Sequence, residues 1–230
     1  MDRINKKNLT INETLALAFE NHKKNNLKAA ETLYTKILNA DPDHFESNFF
    51  LGSLFAQSRQ FDKARGFLAK AIQIKPEHAD AHNNLGSVFK ELGKIQEAKT
   101  CFEKSIQINP EAADIHYNLG VTLGSLGKHM EAIACYKKAI LKNPEHTVSL
   151  INLSELLKTV ELKMINGTNN NHLKDLFLML FRRNDFRHRD IFFKTITLLK
   201  SEKNFHKILE EINLDSISFK NEIIKNFLKE

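Results

Sequence analysis

The sequence is poor in the residues that break helices and turn strands. Its 230 residues contain no tryptophan, 8 glycines and 4 prolines, and an all-β sandwich or barrel would need many more turns. The longest purely apolar run, Leu176 to Phe181, is far too short to cross a membrane. Two cysteines do not make a disulfide framework. No apolar secretion signal follows Met1, so we expect a cytoplasmic protein.

Charge is spread along the chain rather than gathered in one segment. The chain carries 34 Lys and Arg against 28 Asp and Glu, a net charge of +6. Residues 11–158 are almost neutral, with 18 basic against 17 acidic residues, and the excess lies at the two ends. A nucleic-acid binder concentrates its cations on one face or helix. We therefore expect neither a nucleic acid nor a membrane as partner.

A period of 34 residues organises most of the chain. Prolines, alanines, large residues and Leu-small pairs each recur with this step, and a fixed period of this size indicates a repeat architecture. The recurring positions are the prolines Pro42, Pro76, Pro110 and Pro144, the alanines Ala30, Ala64, Ala98 and Ala132, the large residues Tyr34, Leu68, Phe102 and Tyr136, and the small residues Ala18, Gly52, Gly86 and Gly120, each preceded by leucine.

Each unit is predicted to form two helices. In the third unit the apolar spacing predicts helices over Ala81–Leu92 and Ile95–Ile108, with a turn between them and Pro110 after the second. Gly86 and Ala98 are small where the two helices cross closely, and their neighbours fill the space. One pair cannot bury its apolar face alone, so stacked pairs are expected to form an α-solenoid.

These motifs resemble the tetratricopeptide repeat (TPR) family, in which Leu-Gly, Ala-x-x-x-Phe and Pro recur within 34 residues. The resemblance implies an all-α, right-handed TPR α-solenoid of helix-turn-helix repeats with a helical C-terminal cap. The TPR pattern has a bulky residue three positions before the leucine of each Leu-small pair. Here that position holds a polar residue in the four repeats. The resulting His-x-Asn-Leu-Gly resembles the repeats of O-linked N-acetylglucosamine transferases and their bacterial relatives. The polar residues are Thr14, Asn48, His82 and His116.

The predicted organisation has four parts. An N-terminal tail (1–10) precedes the solenoid (11–165), an Asn-rich linker (166–172) follows it, and a helical region (173–230) is expected to cap it. The helical region resembles the connector of bacterial proteins that join TPRs to a methyltransferase. It carries a basic cluster, Arg182–Arg189, which fits a solvated corner or a site for an acidic partner. The predicted repeats are 11–44, 45–78, 79–112 and 113–146, with a degenerate one at 147–165.

The resemblance implies that an extended peptide binds on the concave face, which the first helices line. Asn84, Asn118 and Asn152 fall in one repeat column, and a carboxamide offers both a donor and an acceptor to a peptide main chain. Glu46, Asp80 and Asp114 form a second column, which either complements helix dipoles or favours a basic or neutral ligand over an acidic one. Lys and Arg are missing there, so we exclude binding of a C-terminal carboxylate. In the first two units Ala16 and Phe50 occupy the asparagine position, and Phe49, Phe50, Leu15 and Phe19 either make that end of the groove apolar or pack between helices. The other candidate contacts are Ser87 and Tyr117.

Nothing in the sequence points to catalysis, a metal or a cofactor. No Gly-rich phosphate loop, nucleophile motif or dinucleotide fingerprint is present. The histidines follow the repeat rather than a ligand spacing. Cys101 and Cys135 occupy equivalent places in adjacent units and are expected to be core thiols, because packed helices lie too far apart for a disulfide.

Three interpretations of function follow. The first is a non-catalytic protein- or peptide-binding scaffold. The second is a substrate-recruiting N-terminal part of a glycosyltransferase or methyltransferase whose catalytic domain is not in this chain. The third is self-association through an exposed end helix, so that the chain is a monomer or associates weakly. Sequence alone names neither the partner nor the pathway.

Overall fold

The computed structural model describes residues 9–159, and within them the chain forms only α-helices. None of these helices is long and apolar enough to cross a membrane. The predicted period is confirmed, because each first helix begins 34 residues after the start of the preceding first helix. The first helices are α1 (Ile11–Lys23), α3 (Phe45–Gln57), α5 (Ala79–Glu91), α7 (Ala113–Ser125) and α9 (Thr147–Thr159), and the second helices are α2 (Leu27–Ala40), α4 (Phe61–Ile74), α6 (Ile95–Ile108) and α8 (His129–Lys142).

The chain divides into two compact units between His146 and Thr147. The first contains α1–α8, and α9 belongs to the second, where Leu150, Leu153 and Leu157 are buried. The predicted linker, the C-terminal helical region and the Arg182–Arg189 cluster lie outside the described residues. The predicted domain limits therefore stay predictions.

Close helix crossings explain the small-residue column of the first unit. Within each of the four repeats the first helix packs against the second, and α2, α4 and α6 each contact the first helix that follows. A Cβ added at Gly120 would lie 2.7 Å from the Tyr136 ring, and one at Gly86 would lie 2.9 Å from the Phe102 ring. Only hydrogen fits there without movement. The prediction that large residues of the second helix fill the space beside small ones is confirmed.

The turn between the two helices of a repeat contains one left-handed residue. Asn25 and Arg59 have φ of 61° and 59°, and Gly93 and Gly127 have φ of 73° and 71°. All four occupy the same repeat column. Glycine adopts this conformation without steric cost, whereas a side chain disfavours it. The last two repeats therefore have the less strained turns.

The polar residues that depart from the TPR pattern bind the turn that precedes their helix. His82 Nε2 lies 2.8 Å from the Pro76 carbonyl oxygen, and His116 Nε2 lies 2.9 Å from that of Pro110. Asn48 Nδ2 donates to the Pro42 carbonyl at 3.0 Å. A carbonyl can only accept, so each histidine must carry its proton on Nε2. In α3, α5 and α7 this column therefore bonds the first helix to the proline turn before it.

Candidate functional site

One stripe runs across the first helices of the first unit. Its members stand at positions i, i+4 and i+7 of each helix, which places them on one side of that helix. We call this set the first-helix stripe. It consists of Asn12, Ala16 and Phe19 in α1, Glu46, Phe50 and Ser53 in α3, Asp80, Asn84 and Ser87 in α5, and Asp114, Asn118 and Val121 in α7.

At the N-terminal end the stripe opens into an apolar cleft of about 270 Å³. The Phe19 and Phe50 rings lie 5.1 Å apart, which joins α1 to α3 at the cleft. Phe19 remains 37% exposed, and the Lys23 ammonium lies 4.6 Å from its ring centroid. The cleft is lined by Asn12, Leu15, Ala16, Phe19 and Phe50.

From the sequence, Phe49 and Phe50 could either line the groove or pack between helices. The structure gives the two rings different positions. Phe50 lines the cleft and stacks on Tyr34, with centroids 5.9 Å apart. Phe49 lies between Phe45 and His78, at 6.0 and 5.1 Å, and does not line the cleft. Ala16 lines the cleft from the repeat column of Asn84, and Asn12 from that of Asp80. Sequence reasoning missed Asn12 as a lining residue, although its repeat register could have identified it.

Farther along the stripe, two asparagines are tied to the preceding first helix. Asn84 Nδ2 donates to Ser53 Oγ at 3.0 Å, which links α5 to α3. Asn118 Nδ2 donates to Asn83 Oδ1 at 3.0 Å, which links α7 to α5. Ser87 Oγ donates instead to the Asn83 carbonyl of its own helix. Asn83 is a residue that sequence reasoning missed, because a repeat column reveals which residues are equivalent but not how their side chains turn.

These bonds leave part of each carboxamide available. An asparagine side chain has two N–H donors and an oxygen that accepts twice. Asn84 and Asn118 are half-buried, and within the described residues each uses one donor. One N–H and the carbonyl oxygen of each amide remain, held in orientation by the bond already made. That pair of groups matches the donor and acceptor of a peptide unit.

The acidic column has mixed partners. Glu46 Oε1 accepts from Lys75 Nζ at 3.0 Å, and Asp114 Oδ1 accepts from His146 Nε2 at 2.9 Å while the Asp114 side chain stays 84% exposed. Asp80 is exposed and pairs with no cation within residues 9–159. Each of the three lies in the first turn of its helix, where its charge also complements the helix dipole.

Two further predicted contacts lie outside the first-helix stripe. Tyr117 lies between the rings of Tyr136 and His146, with centroids 6.0 and 5.4 Å away, so its ring packs within its own repeat. Asn152 lies on α9, in the second unit. The third member of the predicted asparagine column therefore stays a prediction.

Charge separates between the two sets of helices in the first unit. The first helices α1, α3, α5 and α7 carry six acidic residues against two lysines. The second helices α2, α4, α6 and α8 carry ten Lys and Arg against five acidic residues. Because the whole segment is almost neutral, its total charge does not reveal this separation. The acidic excess lies on the helices that bear the first-helix stripe.

The two cysteines are free thiols and lie half-buried in the second helices. Burial raises the pKa of Cys101 to about 11, helped by the charge of Glu97. Burial also raises the pKa of Cys135 to about 11. Both groups stay protonated at neutral pH, and a protonated thiol is a poor nucleophile.

Comparisons with known proteins agree with this architecture. A tetratricopeptide repeat model matches residues 113–146, a TPR repeat model matches 86–127, and a model of subunit 3 of the anaphase-promoting complex (cyclosome) matches 23–105. No catalytic domain is among these matches, and none of them singles out the repeats of O-linked N-acetylglucosamine transferases. The search of curated proteins found no significant match.

Solved structures show the same fold. A crystal structure of MamA is 23% identical over 83% of this chain and 96% of its own, with a TM-score of 0.59. A second MamA structure is 22% identical over 84% and 95%, with a TM-score of 0.61. TTC0263, a thermophilic TPR protein of Thermus thermophilus, is 20% identical over 66% and 84%, with a TM-score of 0.56. These likenesses show the fold alone, whereas the 34-residue period and the repeat matches together show that the chain contains TPR repeats, matched over residues 86–146.

Proposed function

We propose that the first-helix stripe binds an extended segment of a protein partner. TPR proteins act as protein-binding scaffolds, and the stripe is where this chain combines an open apolar cleft with available hydrogen-bonding groups. In this proposal the amides of Asn84 and Asn118 contact the main chain of the ligand. The observation that carries it is the pair of helix-to-helix bonds that hold both amides in a fixed orientation.

The form of the ligand follows from the groups that would bind it. The main-chain groups of a helix already bond one another, whereas an extended chain presents them outward. Two amides on successive first helices can therefore bind an extended segment at two points. Such contacts bind main chain without selecting much sequence, so specificity must come from side chains elsewhere on the stripe.

The test uses the full chain and a displayed library of random dodecapeptides. The variant Asn84→Ala/Asn118→Ala should weaken the enriched peptides by about 1–3 kcal/mol, the usual cost of lost buried hydrogen bonds. The matched control is Asn39→Ala/Gln73→Ala, which removes exposed carboxamides from the second helices α2 and α4. Circular dichroism checks that both variants remain helical.

A second control separates binding from packing. Ser53→Ala removes the partner of Asn84 while leaving the Asn84 amide in place. If Asn84 only links α3 to α5, Ser53→Ala should reproduce the full effect of Asn84→Ala on peptide affinity, whereas an amide that binds the ligand and has lost only its orientation should keep part of that affinity. Unchanged affinity in a folded Asn84→Ala/Asn118→Ala variant would end the proposal for these two residues.

A further inference from the structure

The first-helix stripe changes character along its length, which restricts the ligand it can accept. Its α1–α3 part is the apolar cleft, and its α5–α7 part bears the two oriented amides. An apolar side chain is stabilised most at the first part, where the cleft is, because removing apolar surface from water is favourable. Main-chain contacts are offered only at the second. A ligand that uses both parts must have its apolar side chain at one end of the bound segment.

The charge of the stripe restricts the other end of the ligand. From α3 to α7 the stripe contains acidic residues and no Lys or Arg. Glu46 and Asp114 already bind Lys75 and His146, but Asp80 is exposed and has no cation partner within residues 9–159. Asp80 stands one helical turn from Asn84 on the same side of α5. A cationic side chain beside the main-chain contact would therefore meet the unpaired carboxylate.

Helix spacing sets the distance between these two contacts. Successive first helices touch one another, and packed helices lie about 8–10 Å apart. From a cleft between α1 and α3 to Asp80 on α5 is about one and a half such steps, roughly 12–15 Å. An extended chain covers about 3.3–3.6 Å per residue, so about three to five residues span this distance.

Resting on the proposed function, we infer that the ligand is an extended segment with a large apolar side chain about three to five residues from a lysine or arginine. The apolar side chain enters the cleft beside Phe19 and Phe50, and the cation faces Asp80. Acidic segments are disfavoured because the acidic excess of the first unit lies on the first helices. Lys23, the cation at the cleft, is directed over the Phe19 ring.

The dodecapeptide library tests this inference directly, because it imposes no sequence. Peptides enriched on the full chain should share one Phe, Leu, Ile or Met and one Lys or Arg at the stated separation. Ala16→Leu fills the cleft from an exposed helical position and should weaken these peptides about tenfold or more. Ala29→Leu is the matched control, because Ala29 is equally exposed but lies on α2.

The cationic contact has its own variant. Asp80→Asn should weaken the same peptides about twofold to fivefold, the range of exposed ion pairs, and should remove most of the loss that added salt causes in the wild type. Glu97→Gln, an exposed acidic residue on α6, is the matched control. Replacing the cation of the peptide with alanine should reproduce the effect of Asp80→Asn and should add nothing to it.

The outcomes separate this inference from the proposed function. Peptides that need Asn84 and Asn118 but are indifferent to Ala16→Leu and Asp80→Asn would overturn the inferred ligand while leaving the stripe as a binding face. Enriched peptides without the shared pair of residues would do the same. Enrichment of no peptide, or of peptides indifferent to every stripe variant, would overturn both.

Discussion

The first two repeats (α1–α4) and the next two (α5–α8) share helix lengths and spacing but differ in three features. The first pair has the apolar cleft, and the second pair has the oriented amides. The first pair has Asn25 and Arg59 in left-handed turns, where the second has Gly93 and Gly127. The two halves therefore have the same kind of residue where two helices must cross closely. Their residues differ where a side chain faces outward or where a turn tolerates strain.

The largest expected change in the free energy of unfolding comes from placing an outward-facing residue of the second half in the first half. Phe50→Asn places in α3 the residue that Asn84 provides in α5, but it removes a ring in contact with Phe19, Tyr34 and Phe49. Full burial makes Phe→Ala cost about 3–5 kcal/mol, and Phe50 is half-buried. We expect the free energy of unfolding to fall by about 2 kcal/mol, as measured by urea denaturation.

The control for that exchange is Leu141→Asn on α8, where the side chain is 59% exposed. It should change the unfolding free energy by less than about 0.5 kcal/mol. A Phe50→Asn variant as stable as the wild type would show that the aromatic cluster around the cleft does not stabilise the first half. The comparison between the two halves would then concern binding alone.

The turns allow a second exchange, in opposite directions. Gly93→Arg puts a side chain at φ 73° and should destabilise the protein by about 1–2 kcal/mol. Arg59→Gly relieves the same strain but makes the unfolded chain more flexible, so we expect a smaller gain of about 0.5–1 kcal/mol. Thermal unfolding of both variants checks the signs. Two changes of the same sign would contradict the assignment of strain to the first half.

Some of this could be foreseen from the sequence and some could not. The starts of the repeats and the whole of α6 were predicted, because the 34-residue period and Pro110 fix them. The predicted first helix Ala81–Leu92 proved to be Ala79–Glu91, because the histidine ring of His78 caps its start. The sequence could not explain why His82 and His116 depart from the TPR pattern. The carbonyls that they bind belong to turns, and the geometry of those turns exists only in the folded chain.

The same limit applies to the candidate site. A repeat column identified Asn84 and Asn118 as equivalent, but their partners Ser53 and Asn83 are not equivalent to each other. Rotamers, which periodicity does not specify, decide between such partners. The acidic excess of the first helices could have been counted once their bounds were known.

A third prediction concerns the second-helix residues that fill the crossings. Tyr34 is fully buried, and its hydroxyl is the buried side-chain group without a hydrogen-bond partner within the described residues. Burial raises the pKa of Tyr34 to about 12, so the group stays neutral. Tyr34→Phe removes an unsatisfied group and should stabilise the protein by about 1 kcal/mol.

The converse change tests the same idea in the other half. Phe102 is fully buried against Gly86, so Phe102→Tyr adds a hydroxyl where no water can reach it. We expect a loss of about 1 kcal/mol, similar in size to the Tyr34→Phe gain and opposite in sign. Differential scanning calorimetry of both variants gives the signs, and destabilisation by Tyr34→Phe would mean that the Tyr34 hydroxyl has a partner after all.

The smallest expected effect concerns the acidic column, where Glu46 of the first half is paired and Asp80 of the second is not. Partial burial disfavours the Glu46 carboxylate, but the hydrogen bond and charge of Lys75, with the charge of His44 and a backbone hydrogen bond, hold its pKa below the usual value. A folded pKa below the unfolded one stabilises the fold above the unfolded pKa of about 4.3. That contribution is lost as pH falls through the folded pKa.

Glu46→Gln should therefore cost about 0.2–1 kcal/mol at pH 7, the range of exposed ion pairs, and nothing once the pH is below the folded pKa. Urea denaturation of wild type and variant across pH 3–7 measures the difference. Asp80→Asn, at the equivalent position without a cation, is the control and should lose only the interaction with the helix dipole, so that its deficit is smaller than that of Glu46→Gln. A Glu46→Gln deficit that persists at low pH would mean that the side chain stabilises the fold by packing against α4 rather than through its charge. The two halves would then differ at this column in packing and not in electrostatics.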